Sequence, residues 1–156
     1  KSLMKHLELR DVMFAELTLH TGVGNFRDIE VEDLTKHKTD SEEMEITQEA
    51  CDIINTAKTE RNKIFAVGTT SLKALETAVT IKGHVNPFKG WTNKFIFPHY
   101  DFNTADALIT NFHLPKSPMM MEVAAFAGYD LLMKAYKVAV AEKYRFFTYG
   151  DAMLII

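Results

Sequence analysis

Short apolar segments with the two-residue period of a β-strand alternate along this chain with longer segments of helical period. The strand candidates are residues 14–20, 44–46, 63–67, 95–97, 107–110 and, where alternation resumes, 144–149. The helix candidates are residues 1–11, a segment capped by Thr47, a segment that starts at Ser71, and residues 119–127 and 131–143. Residues 83–90 are expected to form a loop. This order predicts a single domain with an α/β fold, in which helices flank a mixed or mostly parallel sheet.

Composition excludes several classes of protein. The 156 residues are 47% hydrophobic and 25% charged, which is typical of a globular domain with its own core. No apolar run is long enough to span a membrane, and the chain does not begin like a signal peptide. Cys51 is the single cysteine, which excludes an internal disulfide and fits a cytoplasmic protein. The net charge of −3 argues against a generally basic nucleic-acid binder.

Polar residues crowd around the apolar strand candidate at 107–110. Asp106 precedes it, and Asn111 and His113 follow it. We expect the three side chains to cluster at one strand end, because ligands of α/β proteins bind at strand ends. His113 is therefore a candidate for proton transfer, and Asp106 is a candidate for orienting it. Glu122 lies in an apolar helix, where a carboxylate needs a partner or faces a cavity.

A second histidine lies at the end of a strand candidate. His20 is followed closely by Gly22 and Gly24, which give the backbone freedom for a turn. A neutral imidazole in this position can act as a base or hold a ligand. A histidine bonded to a backbone carbonyl fits the same pattern equally well. No pair of histidines and acids has the spacing of zinc ligands, so we predict no metal site.

The junction at residues 67–71 joins a strand directly to a helix. A helix start presents free N–H groups, and the hydroxyls of Thr69, Thr70 and Ser71 add donors, so an anionic phosphate or carboxylate suits this position. An ordinary cap by Thr70 or Ser71 also explains the pattern. This segment alone favours the cap, because it lacks the spacing of a phosphate-binding loop.

Five runs of sequence together resemble one known family, the S-adenosylmethionine:tRNA ribosyltransferase-isomerases of queuosine biosynthesis. The runs are residues 17–26, 67–71 with 75–76, 90–92, 106–117 and 144–153, in the order of the family. The resemblance implies transfer of the ribosyl group of S-adenosylmethionine to 7-aminomethyl-7-deazaguanine at the wobble position of tRNA. The ribosyl group is isomerised, and epoxyqueuosine, adenine and methionine are the products. S-adenosylmethionine is then a substrate, no further cofactor is implied, and the partner is the modified tRNA.

This reaction needs a base, a group that helps adenine leave, a grip on methionine, and a pocket for the nucleobase. The catalytic candidates are His20, His113 and Asp106. The substrate-binding candidates are Gly22, Gly24, Thr69, Thr70, Ser71, Asn111 and Glu122. Lys116 and Arg145 are the candidates for contacts with RNA phosphates. A basic patch formed by Lys134, Lys137, Lys143 and Arg145 is an alternative to the solvated face of the last helix.

The family chain is longer, with an N-terminal part and an inserted β-barrel domain before the matching segment. We therefore interpret residues 1–156 as the C-terminal portion of a larger, barrel-like α/β catalytic domain, without the inserted barrel. Such a piece is expected to be weakly active or inactive, with exposed sheet edges. This chain also departs from the family pattern at three positions, which are Lys73 in place of Arg, His99 in place of Gly and Pro118 in place of Thr.

Two other functions fit the residues. One is an α/β enzyme that binds S-adenosylmethionine or a nucleotide and acts on a small molecule, which the negative net charge favours slightly. The other is a non-catalytic fragment or binding module. The sequence leaves the oligomeric state open.

Overall fold

A computed structural model describes residues 2–156 and contains both expected kinds of element. The helices are α1 Ser2–Glu8, α2 Gln48–Thr59, α3 Thr69–Ala78, α4 Pro118–Ala127 and α5 Tyr129–Ala141. The strands are β1 Thr18–Leu19, β2 Glu42–Ile46, β3 Phe65–Val67, β4 Phe88–Thr92, β5 Ala107–Asn111 and β6 Ala152–Ile155. Short 3-10 helices cover Val23–Phe26, Leu34–Lys36 and Phe147–Tyr149. None of the helices in this part of the chain has the length and apolar character that crossing a membrane requires.

The strands form two three-stranded sheets. The first has the order β1-β2-β4 and is antiparallel, with Met44 opposite Gly90. The second has the order β3-β5-β6, in which β3 and β5 are parallel and β5 and β6 are antiparallel. The α/β class is confirmed, and the arrangement is the mixed one. The parallel pair matters most for function, because its two strands end at the same edge of the sheet.

The core lies between the sheets and α2, α3 and α4. Met44 and Ile46 on β2, Leu72 on α3, Leu108 on β5 and Val123 on α4 are all buried. The helical pattern after Thr47 is confirmed, and the Thr47 side chain accepts the N–H of Ala50 at 3.2 Å, as an N-cap does. Burial of their apolar faces therefore fixes α2 and α3 in this core, and α3 contacts β2 and β5.

Several predicted strands differ from the structure. Residues 95–97 form no strand; the ring of Phe95 instead packs against His37 and Phe97, with centroids 4.7 and 5.1 Å apart. Strand β4 lies partly in the expected loop 83–90, because residues 88–92 pair with all of β2. In the segment 144–149 a 3-10 helix replaces the expected alternating strand, and β6 follows it.

The N-terminal segments contain less regular structure than the sequence predicts. The strand expected at 14–20 is reduced to Thr18–Leu19, the part that pairs with β2. The helix expected at 1–11 is confirmed over Ser2–Glu8, whereas Lys1 lies outside the described residues. None of the residues of α1 is buried, and Leu3 is 70% exposed. The edge strands β3 and β6 also present exposed apolar side chains, including Val67 and Leu154.

Candidate active site at the carboxyl edge of the parallel strands

The ends of β3 and β5 lie side by side, as the parallel pairing requires. The N–H of Gly68 donates to the carbonyl of Ile109 at 2.8 Å, which joins the two strand ends. Helix α3 starts immediately after Gly68, and the loop with His113 starts immediately after β5. Thr69–Ser71 and the residues after β5 therefore lie at the same edge of the sheet.

The start of α3 has no side-chain cap. Gly68 is the N-cap residue, with φ of 91°, a left-handed region that favours glycine, and no side chain of residues 2–156 caps the helix start. The interpretation that Thr70 or Ser71 caps the helix is therefore wrong. Thr69 is buried, and Thr70 and Ser71 are half-buried in the first turn. The first N–H groups of α3 are left available, which is the arrangement that attracts an anion.

A buried ion pair lies one turn further along α3. The Nζ of Lys73 donates to Oε2 of Glu42 at 2.6 Å, and the two residues are 5% and 3% exposed. Oε1 of the same carboxylate accepts the N–H of Gly22 and the side-chain amide of Asn25, both at 2.6 Å. Glu42 thereby links β2, α3 and the segment after β1. Gly22, a predicted substrate-binding residue, reaches this cluster through its backbone.

Sequence reasoning missed Glu42 as a site residue. Its signal was available in the period of β2, because Glu42 falls on the same face as Met44 and Ile46. Both of those neighbours are buried, so a carboxylate in the same register must be buried and needs a partner. The partner, Lys73, was recognised as a departure from the family pattern but not as half of an ion pair.

Glu76 is a second buried carboxylate on α3, and it was also missed. It is 1% exposed and accepts the hydroxyl of Tyr100 at 3.1 Å and the N–H groups of Asn103 and Thr104 at 3.1 and 3.0 Å. These bonds hold the segment that precedes β5 against α3. Burial, followed by the charge of Glu76, raises the pKa of Tyr100, so the phenol stays protonated and donates.

Glu122 projects from α4 into the same region without a hydrogen bond. The residue is 6% exposed, and its Oε1 is buried with no partner among the described residues. Burial raises the pKa of Glu122 well above its ordinary value; Lys73 opposes the rise, and Glu42 and Glu76 add to it. The carboxyl predicted to need a partner or a cavity is therefore close enough to Lys73 to feel its charge, yet unbonded.

The two histidines occupy different environments. The imidazole Nε2 of His113 lies 2.6 Å from the hydroxyl of Thr110, and the backbone N–H of His113 donates to the phenol oxygen of Tyr136 at 2.7 Å. Burial lowers the pKa of His113 to about 4, so the imidazole is neutral near pH 7. His20 is exposed, and its backbone N–H donates to Glu43 at 2.8 Å. Its imidazole has no hydrogen bond to residues 2–156, so the alternative of a bond to a backbone carbonyl is wrong.

Asp106 lies at the opposite end of β5 from Asn111 and His113. Its Oδ2 accepts the N–H of Ile64 at 2.8 Å, and its Oδ1 lies 3.7 Å from the Nζ of Lys63. The five residues of β5 separate the two ends by roughly 17 Å. The expected cluster of Asp106 with the two residues after the strand is therefore wrong, and Asp106 pairs with the start of β3 instead.

The predicted RNA contacts lie on the surface. Asn111 donates to the carbonyl of Asp151 at 3.0 Å, and Arg145 donates to the Asp151 carboxylate from Nη2 at 2.6 Å and Nε at 3.0 Å. Arg145 is exposed near the carboxyl end of β5, but Asp151 partly neutralises it. Lys116 is exposed on the loop before α4, and its carbonyl accepts the N–H of Ile29 at 2.9 Å.

The remaining departures from the family pattern have local explanations. His99 has φ of 76°, in the left-handed region where glycine is unstrained. Pro118 is the first residue of α4, where proline is well tolerated, and Ser117 caps the helix by accepting the N–H of Met120 at 3.2 Å. Among residues 2–156, no group of three or more acidic, histidine or cysteine side chains is arranged to hold a metal ion.

Comparison with known proteins assigns a family. The chain matches the family described as "Queuosine biosynthesis protein" over residues 1–155. It is 59% identical to the S-adenosylmethionine:tRNA ribosyltransferase-isomerase of Flavobacterium psychrophilum and 57% identical to that of Parabacteroides distasonis, over all of this chain and 45% of each relative. A crystal structure of S-adenosylmethionine tRNA ribosyltransferase from Thermotoga maritima matches with a TM-score of 0.81 and 39% identity. That match covers 99% of this chain and 49% of the other. The chain thus spans slightly less than half the length of these relatives.

Proposed function

Because this chain belongs to the queuosine biosynthesis protein family, we propose that it is the C-terminal portion of an S-adenosylmethionine:tRNA ribosyltransferase-isomerase. The full-length protein transfers the ribosyl group of S-adenosylmethionine to 7-aminomethyl-7-deazaguanine at the tRNA wobble position and isomerises it. Epoxyqueuosine, adenine and methionine are the products. We infer a cytoplasmic location from the tRNA substrate, and weak or no activity for the 156 residues alone.

One observation gives the main support for this proposal. The 59% identity to a named ribosyltransferase-isomerase extends over all 156 residues, so it includes every segment that meets at the carboxyl edge of β3 and β5. The uncapped start of α3 supports the proposal from geometry, because it suits an anionic group of either substrate. A chain that retained only the fold would not need an uncapped helix start, a buried neutral histidine and an unbonded buried carboxyl.

We assign the general base to His20 rather than to His113. A base that removes a proton from the carbon beside the sulfonium works best when its pKa is near the operating pH. His113, with a pKa of about 4, is a weak base, and its Nε2 is already bonded to Thr110. His20 is exposed, its imidazole is unbonded within residues 2–156, and it precedes the Gly22 that contacts the buried cluster. His113 then serves as a neutral hydrogen-bonding group.

The surface residues Lys116 and Arg145 are proposed contacts to tRNA phosphates. Both side chains are exposed, and Arg145 lies near the strand edge through its bonds to Asp151. Phosphate contacts release counterions, so binding of the modified stem-loop weakens steeply as salt increases. If Lys116 contacts one phosphate, Lys116→Ala reduces the slope of log affinity against log salt concentration by about one unit.

The test is adenine release by the full-length protein with S-adenosylmethionine and an anticodon stem-loop that carries 7-aminomethyl-7-deazaguanine. An unmodified stem-loop is the control. Release that requires the modified base supports the proposal. Binding of S-adenosylmethionine without release, and with no salt-dependent RNA binding, favours the alternative enzyme that acts on a small molecule.

The same assay distinguishes the role of His20 from that of His113. His20→Ala is expected to lower turnover by about 10²- to 10⁴-fold, the usual contribution of a general base. His113→Ala also lowers turnover, but it does not change the pH profile of the remaining activity near neutrality. His84→Ala, an exposed histidine between α3 and β4, is the matched control and leaves turnover unchanged. Full turnover in His20→Ala removes this residue from the role of base.

A further inference from the structure

The unbonded carboxyl of Glu122 is the unusual feature of the buried cluster. Burying a polar atom without a hydrogen bond costs free energy, so folded proteins nearly always provide a partner. Oε1 of Glu122 has none among residues 2–156, although α3 with Lys73 packs against α4. Oε1 itself is not accessible to solvent, whereas the residue as a whole is 6% exposed. The structure therefore contains an acceptor for a donor that this chain does not itself supply.

Lys73 has the complementary property. Its ammonium group carries three protons, and one of them is donated to Glu42. The other two have no acceptor among the described residues, and the residue is 5% exposed. Glu42 also accepts from Gly22 and Asn25, both through Oε1, so it does not depend on Lys73 alone. Lys73 can therefore donate to a further anionic group without losing its bond to Glu42.

The start of α3 adds a second place for negative charge next to Lys73. Thr69 and Thr70 lie four and three residues before Lys73, so their side chains share its face of the helix. The uncapped N–H groups of this first turn and the Lys73 ammonium both stabilise an anion. Glu122, on the neighbouring helix, stabilises a cation. The cluster thus offers opposite charges to one ligand.

We propose that Glu122, Lys73 and the first turn of α3 bind the zwitterionic α-amino acid group of a substrate. Glu122 accepts hydrogen bonds from the α-ammonium group, and Lys73 with the N–H groups of α3 donates to the α-carboxylate. The inference rests on the proposed function, in which this group is the methionine end of S-adenosylmethionine. In this proposal Glu122 holds the substrate and takes no part in proton transfer to or from the reacting atoms.

Binding of such a ligand includes the loss of one proton. Without ligand, burial favours the neutral carboxyl of Glu122, against the opposing charge of Lys73 from α3. Glu76 on α3 and Glu42 on β2 also favour the neutral form. A bound ammonium replaces the proton as the partner of the carboxylate, and the proton leaves to the solvent. Charge balances, because the neutral carboxyl becomes an anion as the ammonium arrives.

The 3-10 segment Val23–Phe26 lies beside this cluster. It packs against α4, and the side-chain amide of Asn25 within it donates to Glu42 at 2.6 Å. Oε1 of Glu122 is not accessible to solvent, so a ligand reaches this atom only after a local rearrangement.

The test compares two ligands by titration calorimetry with the full-length protein. S-adenosylmethionine carries the amino acid group, and 5′-methylthioadenosine shares its nucleoside and sulfur but lacks that group. In Glu122→Gln we expect about tenfold weaker binding of S-adenosylmethionine, since a charge-assisted hydrogen bond is lost, and unchanged binding of 5′-methylthioadenosine. Titrations in buffers of different ionisation enthalpy should show about one proton released by wild type with S-adenosylmethionine and none by the variant.

The controls separate this inference from the proposed function and from misfolding. Glu49→Gln, an exposed glutamate on α2, binds both ligands as wild type does. Thermal unfolding of Glu122→Gln shows whether the variant is folded. Equal weakening of both ligands, or S-adenosylmethionine binding without proton release in wild type, overturns the amino acid subsite. Adenine release by wild type is measured separately, so the reaction stands if the subsite fails.

Discussion

Glu76 and Glu122 are two buried glutamates on adjacent helices, with exposures of 1% and 6%. They differ in the number of hydrogen bonds that their carboxyl groups accept. Glu76 accepts from three donors that come from the segment before β5. Glu122 has no hydrogen bond for its buried Oε1. The first carboxylate replaces the water it lost on folding with protein donors, whereas the second does not.

This difference separates a structural carboxylate from one that is available to a ligand. Two of the donors to Glu76 are backbone N–H groups, at Asn103 and Thr104, which no single substitution other than proline removes. The environment of Glu122 contains charge, from Lys73, but no donor placed to bond it. A protein keeps an unbonded buried carboxyl, which costs folding free energy, where function uses that carboxyl. The comparison of Glu76 with Glu122 can therefore be tested by measuring the stability of variants.

The largest effect is expected for Lys73→Met in the 156-residue chain. The substitution leaves the Glu42 carboxylate buried without a counter-ion, which costs about 3–5 kcal/mol in the free energy of unfolding. Urea unfolding followed by circular dichroism measures it. Lys89→Met is the control, because Lys89 also pairs with a glutamate, Glu45 at 2.9 Å, but at the surface. Similar losses of unfolding free energy in Lys73→Met and Lys89→Met would contradict the prediction that breaking the buried pair costs more than breaking the surface pair.

Glu76→Gln is expected to lose about 2–3 kcal/mol, because the amide loses charge-assisted bonds and turns an N–H₂ group toward protein donors. The same urea experiment on Glu122→Gln gives the comparison. If the two substitutions destabilise equally, Glu122 has a structural role like that of Glu76, and the distinction between them is broken.

Tyr100→Phe removes one of the donors to Glu76 and keeps the ring in contact with Phe102, 4.9 Å away between centroids. The two N–H groups still bond to the carboxylate, so we expect a loss of about 1 kcal/mol. Double substitution with Glu76→Gln should then be less than additive, because both residues act through one network. Additive losses would show that the phenol and the carboxylate contribute independently.

Glu122→Gln is expected to change stability in the opposite direction, by an amount that depends on pH. A raised folded-state pKa contributes stability that is fully present below the unfolded value, near 4.5, and is lost as pH rises through the folded-state pKa. The variant lacks this titration, so its stability relative to wild type increases as pH rises above 4.5. Unfolding curves at four pH values measure the difference, and a flat difference excludes a buried neutral carboxyl.

Local patterns were sufficient for the helices and for the fold class. Helix α2 was found from the spacing of its apolar residues and from Thr47, and both signals act within one turn. Strand β4 was missed because Gly90 and Trp91 are strand residues only through their pairing with Met44 and Glu43 on β2. The grouping of Asp106 with His113 failed for a related reason, since adjacency in sequence across a strand places groups at opposite ends.

Residues close together in the chain were enough to predict the α/β class, the family resemblance and the polar groups where strands end, because each of these depends on neighbouring residues. Which charges are paired depends on the packing of distant segments. Glu42 and Lys73 are 31 residues apart, and Glu76 reaches donors 24 to 28 residues away. Whether a buried carboxylate finds a donor depends on how β2, α3 and α4 pack together. The physical reason is that hydrogen bonds and ion pairs act over a few ångströms in space, whatever the separation along the chain.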